Sequence, residues 1–353
     1  KIHGSDLPSQ GVSGRGKGSI LAEGQLYRGD PAAYWRDLEA MVALTPADVQ
    51  GALQRWLARP PFTLSVVPGE RVLDGALMGG YGDAPGAAPA SPEPAAGPPA
   101  AIAAGPPRAA PAVAPVGELA FPQLETARLS NGIEVTLARR SAVPQVELAL
   151  SFAAGAAADP PERAGTQRML MDALTEGTTT RSATGIAIEQ ERLCATLNAA
   201  ATPDRSLVTM SALSTNLAPS LALFADVVRN PAFRPDDVAR VRERRLAAIA
   251  EEMADPAGMA QRALFPLLYG AAHPYAAAGT AGTAAVVAEL GPAELAAEHA
   301  RWLRPDRARI TAVGDVTMAE LVPALERVLR DWASPPAPAP AIPTDLRRSR
   351  PEA

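Results

Sequence analysis

A run of alanine, proline and glycine from Ala84 to Pro115 is the feature that most restricts how this chain can fold. The run has no periodic apolar face, so it cannot bury enough surface to offset the entropy of ordering it. Frequent proline favours extended polyproline II, which rises ~3.1 Å per residue. We therefore predict a linker at residues 76–118, which is either a tether between two halves of a larger protein or a passive disordered insertion. It separates an N-terminal part (1–75) from a main domain (119–335), and a disordered tail (336–353) follows.

The parts on the two sides of the linker share a repeated unit. The segment Leu44-Thr-Pro-Ala-Asp-Val…Arg55-Trp-Leu57 matches Leu290-Gly-Pro-Ala-Glu-Leu…Arg301-Trp-Leu303, and every matched pair has the same offset. Each copy reads as a helix with proline at its first turn, and a strand-like run follows each, at Phe62–Val67 and at Arg309–Val313. The repeat predicts that residues 1–75 form the C-terminal tail of a preceding, homologous domain.

The main domain has segregated strand and helix signals, which predict an α+β fold with an antiparallel sheet flanked by helices. Asn131-Gly132 between two alternating runs predicts a hairpin with a type I′ turn. The predicted strands are Leu124–Leu129, Ile133–Leu137, Gln145–Phe152, Ala195–Ala200, Ser206–Ala212 and Arg309–Val313. The predicted helices are 165–176, Thr184–Leu193, Leu217–Val228, Pro235–Met253, Gly258–Leu268 and Met318–Trp332.

Composition excludes several classes of function. The net charge of −5 provides no basic field for nucleic acid or an anionic membrane surface. A single cysteine, Cys194, excludes an internal disulfide and a cysteine-based zinc site. No run of about 18 apolar residues suggests a membrane span. No glycine-rich phosphate loop, serine nucleophile motif or CxxC motif is present.

The segment from Gly165 to Thr178 predicts a buried helix, because Met169, Leu170, Ala173 and Leu174 recur at helical spacing. It follows a strand-like run that ends at Phe152-Ala-Ala-Gly155. Strand, glycine-containing loop and buried helix in this order resemble the pitrilysin/insulinase family of zinc metallopeptidases. Further matches lie at Leu129-Ser-Asn131-Gly132, Leu268-Tyr269-Gly270…His273-Pro274-Tyr275…Gly279-Thr280 and Gly314-Asp315. The resemblance covers residues 121–333 and implies one domain of that family.

The resemblance also implies where a zinc site would lie. In active members the central helix carries an inverted motif, His-x-x-Glu-His, and a later helix adds a further glutamate. The matching positions here hold Arg168, Met171 and Asp172, with Glu251 or Glu252 at the distant position. A guanidinium cannot be a ligand and a thioether cannot accept the proton of a water. We therefore expect no metal or other cofactor in this chain, and zinc in a catalytic half.

Charged and aromatic residues near this helix have simpler interpretations. Arg168 and Asp172 are expected to form an i,i+4 ion pair, and Arg242-Glu-Arg-Arg245 to form a solvated helix face. His273 is expected to support a turn rather than bind a metal. His299 is expected to have a surface or packing role, because the other copy of the repeat has Gln54 at that position.

By resemblance, the chain is a non-catalytic portion of a pitrilysin-like metallopeptidase. It would close the chamber and help to hold peptide substrates for a zinc-bearing catalytic half, on the same parent chain or on a separate subunit. The alternative is a catalytically silent scaffolding subunit that binds proteins without proteolysis. The expected partners are the zinc-bearing half and a peptide, with no nucleic acid and no membrane span. The expected location is the periplasm, or otherwise the cytoplasm.

Overall fold

The structure is a computed structural model that describes residues 17–58, 62–65, 121–271, 273–340 and 342. Contacts group the described residues into two compact units. The first contains residues 17–34 and 121–342, and the second contains residues 35–65. The predicted domain boundaries at residues 75 and 118 lie outside the described residues.

A six-stranded mixed sheet forms the centre of the first unit, within the residues that the structure describes. Its strands are β1 (Leu124–Arg128), β2 (Glu134–Arg139), β3 (Gln145–Phe152), β4 (Thr196–Ala201), β5 (Ser206–Leu213) and β6 (Ala308–Gly314). The spatial order is β1-β2-β6-β3-β5-β4. All neighbours are antiparallel except β2 and β6, which run parallel with Glu134 opposite Arg309. The predicted α+β fold with a helix-flanked sheet is confirmed, and four of the five strand pairs are antiparallel, with β2 and β6 as the parallel exception. The chain reaches β6 by a long crossover, which allows parallel pairing.

The helices agree closely with the periodicity of the sequence. The N-terminal helices are α1 (Lys17–Arg28), α2 (Ala33–Ala43) and α3 (Pro46–Leu57). The others are α4 (Thr166–Leu174), α5 (Ala183–Leu193), α6 (Leu217–Arg229), α7 (Pro235–Ala254), α8 (Pro256–Tyr269), α9 (Tyr275–Ala278), α10 (Ala284–Glu289), α11 (Pro292–Trp302) and α12 (Met318–Leu329). In the part of the chain that the structure describes, no helix is both long and apolar enough to cross a bilayer.

One face of the sheet carries the core. Along β3, Val146, Leu148, Leu150 and Phe152 are buried, whereas the intervening Glu147 is exposed. Helix α4 contacts β4, α6 contacts β5, and α12 contacts β1 and α6, so these helices lie against the sheet. Met169, Leu170, Met171 and Leu174 give α4 a fully buried side. The central helix is thus held in place by core packing, as the period of its apolar residues indicated.

The β1–β2 hairpin is present, but the predicted type I′ turn was wrong. Gly132 donates its N–H to Leu129 O (2.9 Å), and Gly132 has a φ of 93°. A type I′ turn needs positive φ at both central residues, and Asn131 does not have it. The Asn131 side chain instead donates through Nδ2 to Leu329 O (2.8 Å), which ties the hairpin to the end of α12.

The two copies of the repeat have different surroundings. Helix α11 and strand β6 are built into the first unit, with β6 between β2 and β3. In the other copy α3 is a helix, but Phe62–Ser65 is not paired in a sheet among the described residues. The rest of that predicted strand, Val66 and Val67, lies outside them.

Part of the segment expected to be a disordered tail lies against the domain. The Arg304 guanidinium donates to Pro335 O (3.2 Å) and Ala337 O (2.8 Å), and Arg307 donates to Pro340 O. Ile342 packs against the core. The remainder of this tail, residue 341 and residues 343–353, lies outside the described residues.

Candidate functional site at the central helix

The start of α4 is fixed by backbone geometry and a buried carboxylate. Gly165 precedes the helix with a φ of 104°, and a Cβ added there would lie 2.9 Å from Gly282 Cα. Asp159 accepts hydrogen bonds from Gly165 N (3.1 Å) and Gln167 N (3.0 Å). Thr283 N donates to Ala164 O (3.1 Å). The loop around residue 282 is thereby held against the N-terminus of α4.

The acid that holds this helix start has a strongly perturbed pKa. Asp159 is only 6 % exposed, and burial raises its pKa to about 7, against the opposing backbone hydrogen bonds from Gln167 and Gly165. Glu298 adds a smaller upward effect on this pKa. Near neutral pH this side chain is therefore divided between a neutral and an ionised form.

The three positions that resemblance assigns to the zinc motif lie close together on α4 but differ in burial and partners. Met171 is fully buried in the core. Arg168 is half-buried, and burial lowers its pKa, with a further lowering by the positive charge of Arg245. Asp172 is also half-buried and forms an ion pair with Arg245. The negative charge of Asp172 thus favours the charged form of Arg168, as the predicted pair implies, and Asp172 has a second cationic partner, Arg245, on α7.

Of the two glutamates considered for the distant acidic position, Glu252 is the one whose charge acts on Arg168. The Glu251 side chain is exposed, whereas Glu252 is half-buried and accepts from Ala281 N (2.9 Å) and Arg262 Nη1 (3.3 Å). Glu252, Asp172 and Asp159 are also the acids that stabilise the charge of Arg168. Adjacent helix positions point about 100° apart, so a choice between two consecutive glutamates could not be made from spacing alone.

The arginine run on α7 is more than a solvated face. Arg245 pairs with Asp172, Arg244 pairs with Glu176, and Arg242 Nη1 donates to Leu290 O (3.3 Å). The interpretation of this run as a solvated surface was therefore wrong for Arg245 and incomplete for Arg242, whereas Glu243 and Arg244 are exposed as predicted. The sequence shows that basic residues cluster on α7. Its periodicity does not show that they will contact acidic residues at the end of α4, such as Asp172 and Glu176.

A cavity of ≈ 200 Å³ lies beside the start of α4. Its lining includes Asp159, Arg262, His273 and Thr280. The His273 imidazole Nδ1 accepts from Tyr275 N (3.0 Å), and its ring stacks on Tyr269 with centroids 5.0 Å apart. His273 thus supports the turn, as the sequence indicated. His299 packs against Phe233 and its Nε2 lies 2.7 Å from Val228 O, which agrees with the packing role.

The side chains around α4 do not fit a zinc ion. Catalytic zinc needs three neutral or anionic protein ligands within about 2.3 Å. Here Arg168 brings a cation, Met171 is enclosed in the core, and the carboxylates of Asp172 and Glu252 already bond to Arg245 and Arg262. Among the described residues, no group of three or more His, Cys, Asp or Glu side chains is placed to hold a metal.

Fold and site together define a peptidase-type α+β domain whose central helix bears an arginine–carboxylate network in place of metal ligands. Residues 134–275 match the sequence model of Insulinase (Peptidase family M16). The resemblance to this family is therefore confirmed over residues 134–275.

Known proteins similar to the chain include a curated relative and several solved structures. The chain is 25% identical over 202 residues to the mitochondrial-processing peptidase subunit beta of Blastocladiella emersonii, which covers 57% of this chain and 43% of that protein. It is 29% identical to a peptidase M16 inactive domain from Pseudomonas fluorescens, with a TM-score of 0.58, covering 62% of this chain and 53% of that one. The chain thus spans about half the length of these relatives.

The first half of the periplasmic protease PqqL from Escherichia coli shares the fold. It is 21% identical, with a TM-score of 0.52, and the match covers 64% of this chain and 51% of that one. These neighbours include an inactive M16 domain and one half of a periplasmic protease.

Proposed function

We propose that this chain is a non-catalytic portion of an M16-type zinc metallopeptidase. It closes the reaction chamber over a zinc-bearing catalytic half and helps to hold the peptide substrate there. In this proposal the zinc belongs to the other half, on the same parent chain or on a separate subunit. The observation that carries the proposal is the arginine–carboxylate network formed around α4 by Arg168, Asp172, Arg245, Glu252 and Arg262.

The network is unsuited to peptide hydrolysis. A metallopeptidase activates water with a metal ion and passes its proton to a free carboxylate. Glu252 is hydrogen-bonded to a backbone N–H and to Arg262, and Asp172 is paired with Arg245. The Asp172–Arg245 pair joins α4 to α7, and the Glu252–Arg262 pair joins α7 to α8.

Similarity to known proteins supports this function at the level of the family. The Pseudomonas fluorescens neighbour, which is 29% identical to this chain, is described as an inactive M16 domain. We extend the proposal to the periplasm, since the neighbour PqqL is described as periplasmic. Fractionation of the source cells checks this location, and recovery with cytoplasmic marker proteins would contradict it.

Peptide cleavage by separate and mixed proteins tests the proposed function. The full chain, a zinc-bearing M16 half from the same source, and their equimolar mixture are each given a quenched fluorescent peptide. We expect no cleavage by the full chain alone, little by the zinc-bearing half, and a large gain in the mixture that a chelator abolishes. Association without any gain in cleavage would favour the scaffolding alternative. Cleavage by the full chain alone would contradict both.

A further inference from the structure

The cavity beside the start of α4 has no role in the proposed function. Its volume of ≈ 200 Å³ is larger than an engineered apolar cavity of about 150 Å³ that binds benzene, and smaller than the roughly 300–1,000 Å³ of most ligand pockets. Pro161 and Ala271 line the cavity and are exposed, so it opens to the surface. The cavity therefore has room for one molecule of about the size of an amino acid.

One wall of the cavity has a buried acid with unused hydrogen-bonding capacity. Asp159 lines the cavity and is almost fully buried. Its Oδ2 accepts from Gly165 N (3.1 Å) and Gln167 N (3.0 Å), whereas Oδ1 has only a 3.2 Å contact with the same Gln167 N. An ionised carboxylate offers about four lone pairs to hydrogen-bond donors. Asp159 can therefore accept a further donor through Oδ1.

The charge of Asp159 is not balanced by a cationic side chain. In the described part of the chain Asp159 forms no ion pair, and Arg163, whose charge acts on it, is paired with Glu298 Oε1 (3.2 Å). A buried charge is costly unless it is paired, and burial accordingly raises the pKa of Asp159 to about 7. The described residues offer no group of three or more metal-binding side chains here. The cation that this acid can accept is therefore an ammonium group rather than a metal ion.

Two other residues that line the cavity can donate hydrogen bonds to an anion. Arg262 donates to Glu252 Oε1 (3.3 Å) and Gly282 O (2.5 Å), and these contacts use two of its five N–H donors. His273 accepts from Tyr275 N through Nδ1 (3.0 Å), so the neutral imidazole has its proton on Nε2, which is a donor. Arg262 and His273 together can therefore bind a carboxylate.

The remaining walls of the cavity are mostly apolar and include Pro266, Pro274, Ala276 and Ala277. They can contact a short hydrocarbon side chain. A lone carboxylate, donors for an anion and a small apolar wall are complementary to the three parts of an α-amino acid. We propose that this cavity binds a free amino acid with a small apolar side chain, with the ammonium group on Asp159 and the carboxylate on Arg262 and His273.

Titration calorimetry of the full chain with L-alanine at neutral pH tests this site. We expect saturable, equimolar binding. N-acetyl-L-alanine lacks the ammonium group and L-alaninamide lacks the carboxylate, so each should bind roughly tenfold more weakly or worse, because charge-assisted hydrogen bonds are lost. L-tryptophan should not bind, since its side chain is too large for the cavity. No saturable binding of L-alanine at millimolar concentration would overturn the proposal. Equal affinity for L-alaninamide, which resembles the first residue of a peptide, would overturn it too.

Two substitutions in the full chain locate the binding. Asp159→Asn keeps an acceptor for Gly165 and Gln167 but removes the charge, and should weaken L-alanine binding by roughly tenfold or more. Ala277→Leu fills the cavity without altering its charged groups and should have a similar effect. The matched control Asp236→Asn removes an exposed carboxylate on α7 and should leave the affinity unchanged.

Circular dichroism shows whether each variant is folded. Wild-type affinity in folded Asp159→Asn or in folded Ala277→Leu would place the binding elsewhere and overturn the proposal. These measurements use neither peptide cleavage nor a zinc-bearing half, so their failure would leave the proposed function intact.

Discussion

Replacing Trp302 by alanine is expected to lower the free energy of unfolding by about 3–5 kcal/mol, whereas Trp56→Ala should change it by less than about 0.5 kcal/mol. The two tryptophans occupy the same position of the repeated unit. Trp302 is 2% exposed and Trp56 is 65% exposed. The difference arises because removing a buried ring leaves a cavity, while removing an exposed one does not.

Trp302 also has polar contacts that alanine cannot replace. Its Nε1 donates to Glu298 Oε2 (2.9 Å), and Glu298 is itself buried. The guanidinium groups of Arg301 and Arg307 lie 5.1 Å and 5.5 Å from the ring centroid, within the range of a cation–π contact. The substitution therefore removes a hydrogen-bond donor and a cation-binding surface in addition to the packing.

Urea unfolding followed by circular dichroism measures both variants without depending on tryptophan fluorescence. A loss of several kcal/mol for Trp302→Ala and almost none for Trp56→Ala would show that only the second copy is packed in the full chain. Equal losses would contradict the described burial of the two tryptophans.

Asp159 is expected to make the domain less stable as the pH rises from about 4 to about 7. Its pKa is raised from 3.8 to about 7 in the folded state by burial. The folded state therefore binds the Asp159 proton more tightly than the unfolded state does. The resulting stabilisation is fully present below pH 3.8, the pKa in the unfolded chain, and is lost as the pH rises through about 7, the pKa in the folded protein. Each pKa unit corresponds to about 1.4 kcal/mol of unfolding free energy. A rise of about three units therefore gives a total loss of up to about 4 kcal/mol between pH 4 and pH 8.

Asp159→Asn isolates this effect. Asparagine can still accept from the backbone N–H groups of Gly165 and Gln167 but cannot ionise, so the variant should exceed the wild type in stability at pH 8 by about 2–4 kcal/mol. The measurement is the difference in unfolding free energy between the two proteins from pH 4 to pH 8. The exposed Asp236→Asn is the matched control and should keep the wild-type profile. A difference that does not grow between pH 4 and pH 7 would contradict a buried, titrating Asp159.

Much of the fold could be predicted because its elements have short-range signals. The apolar period of Met169, Leu170, Ala173 and Leu174 placed α4 in the core, and the alternation in Gln145–Phe152 placed β3. The parallel pairing of β2 with β6 could not be predicted, because it joins residues that are far apart in the chain. The turn at Asn131 was mispredicted because its side chain bonds to α12, which no local pattern shows.

The sequence shows which residue types stand at the positions of the zinc motif, but it does not show which side chains they contact. The sequence alone shows that Arg168, Met171 and Asp172 stand where active family members have His, Glu and His. The partners that join them, Arg245 and Arg262, come from helices whose facing sides depend on tertiary packing. The choice of Glu252 over Glu251 likewise depends on the rotation of α7 about its axis.

Zinc retention by the full chain tests the central claim most directly. The purified chain is equilibrated with an excess of zinc at neutral pH, freed of unbound metal by gel filtration, and analysed for metal by mass spectrometry. We predict that no stoichiometric zinc is retained, because cations and paired carboxylates surround α4. One zinc ion per chain, lost on replacement of Asp172 and Glu252 by alanine, would contradict this account.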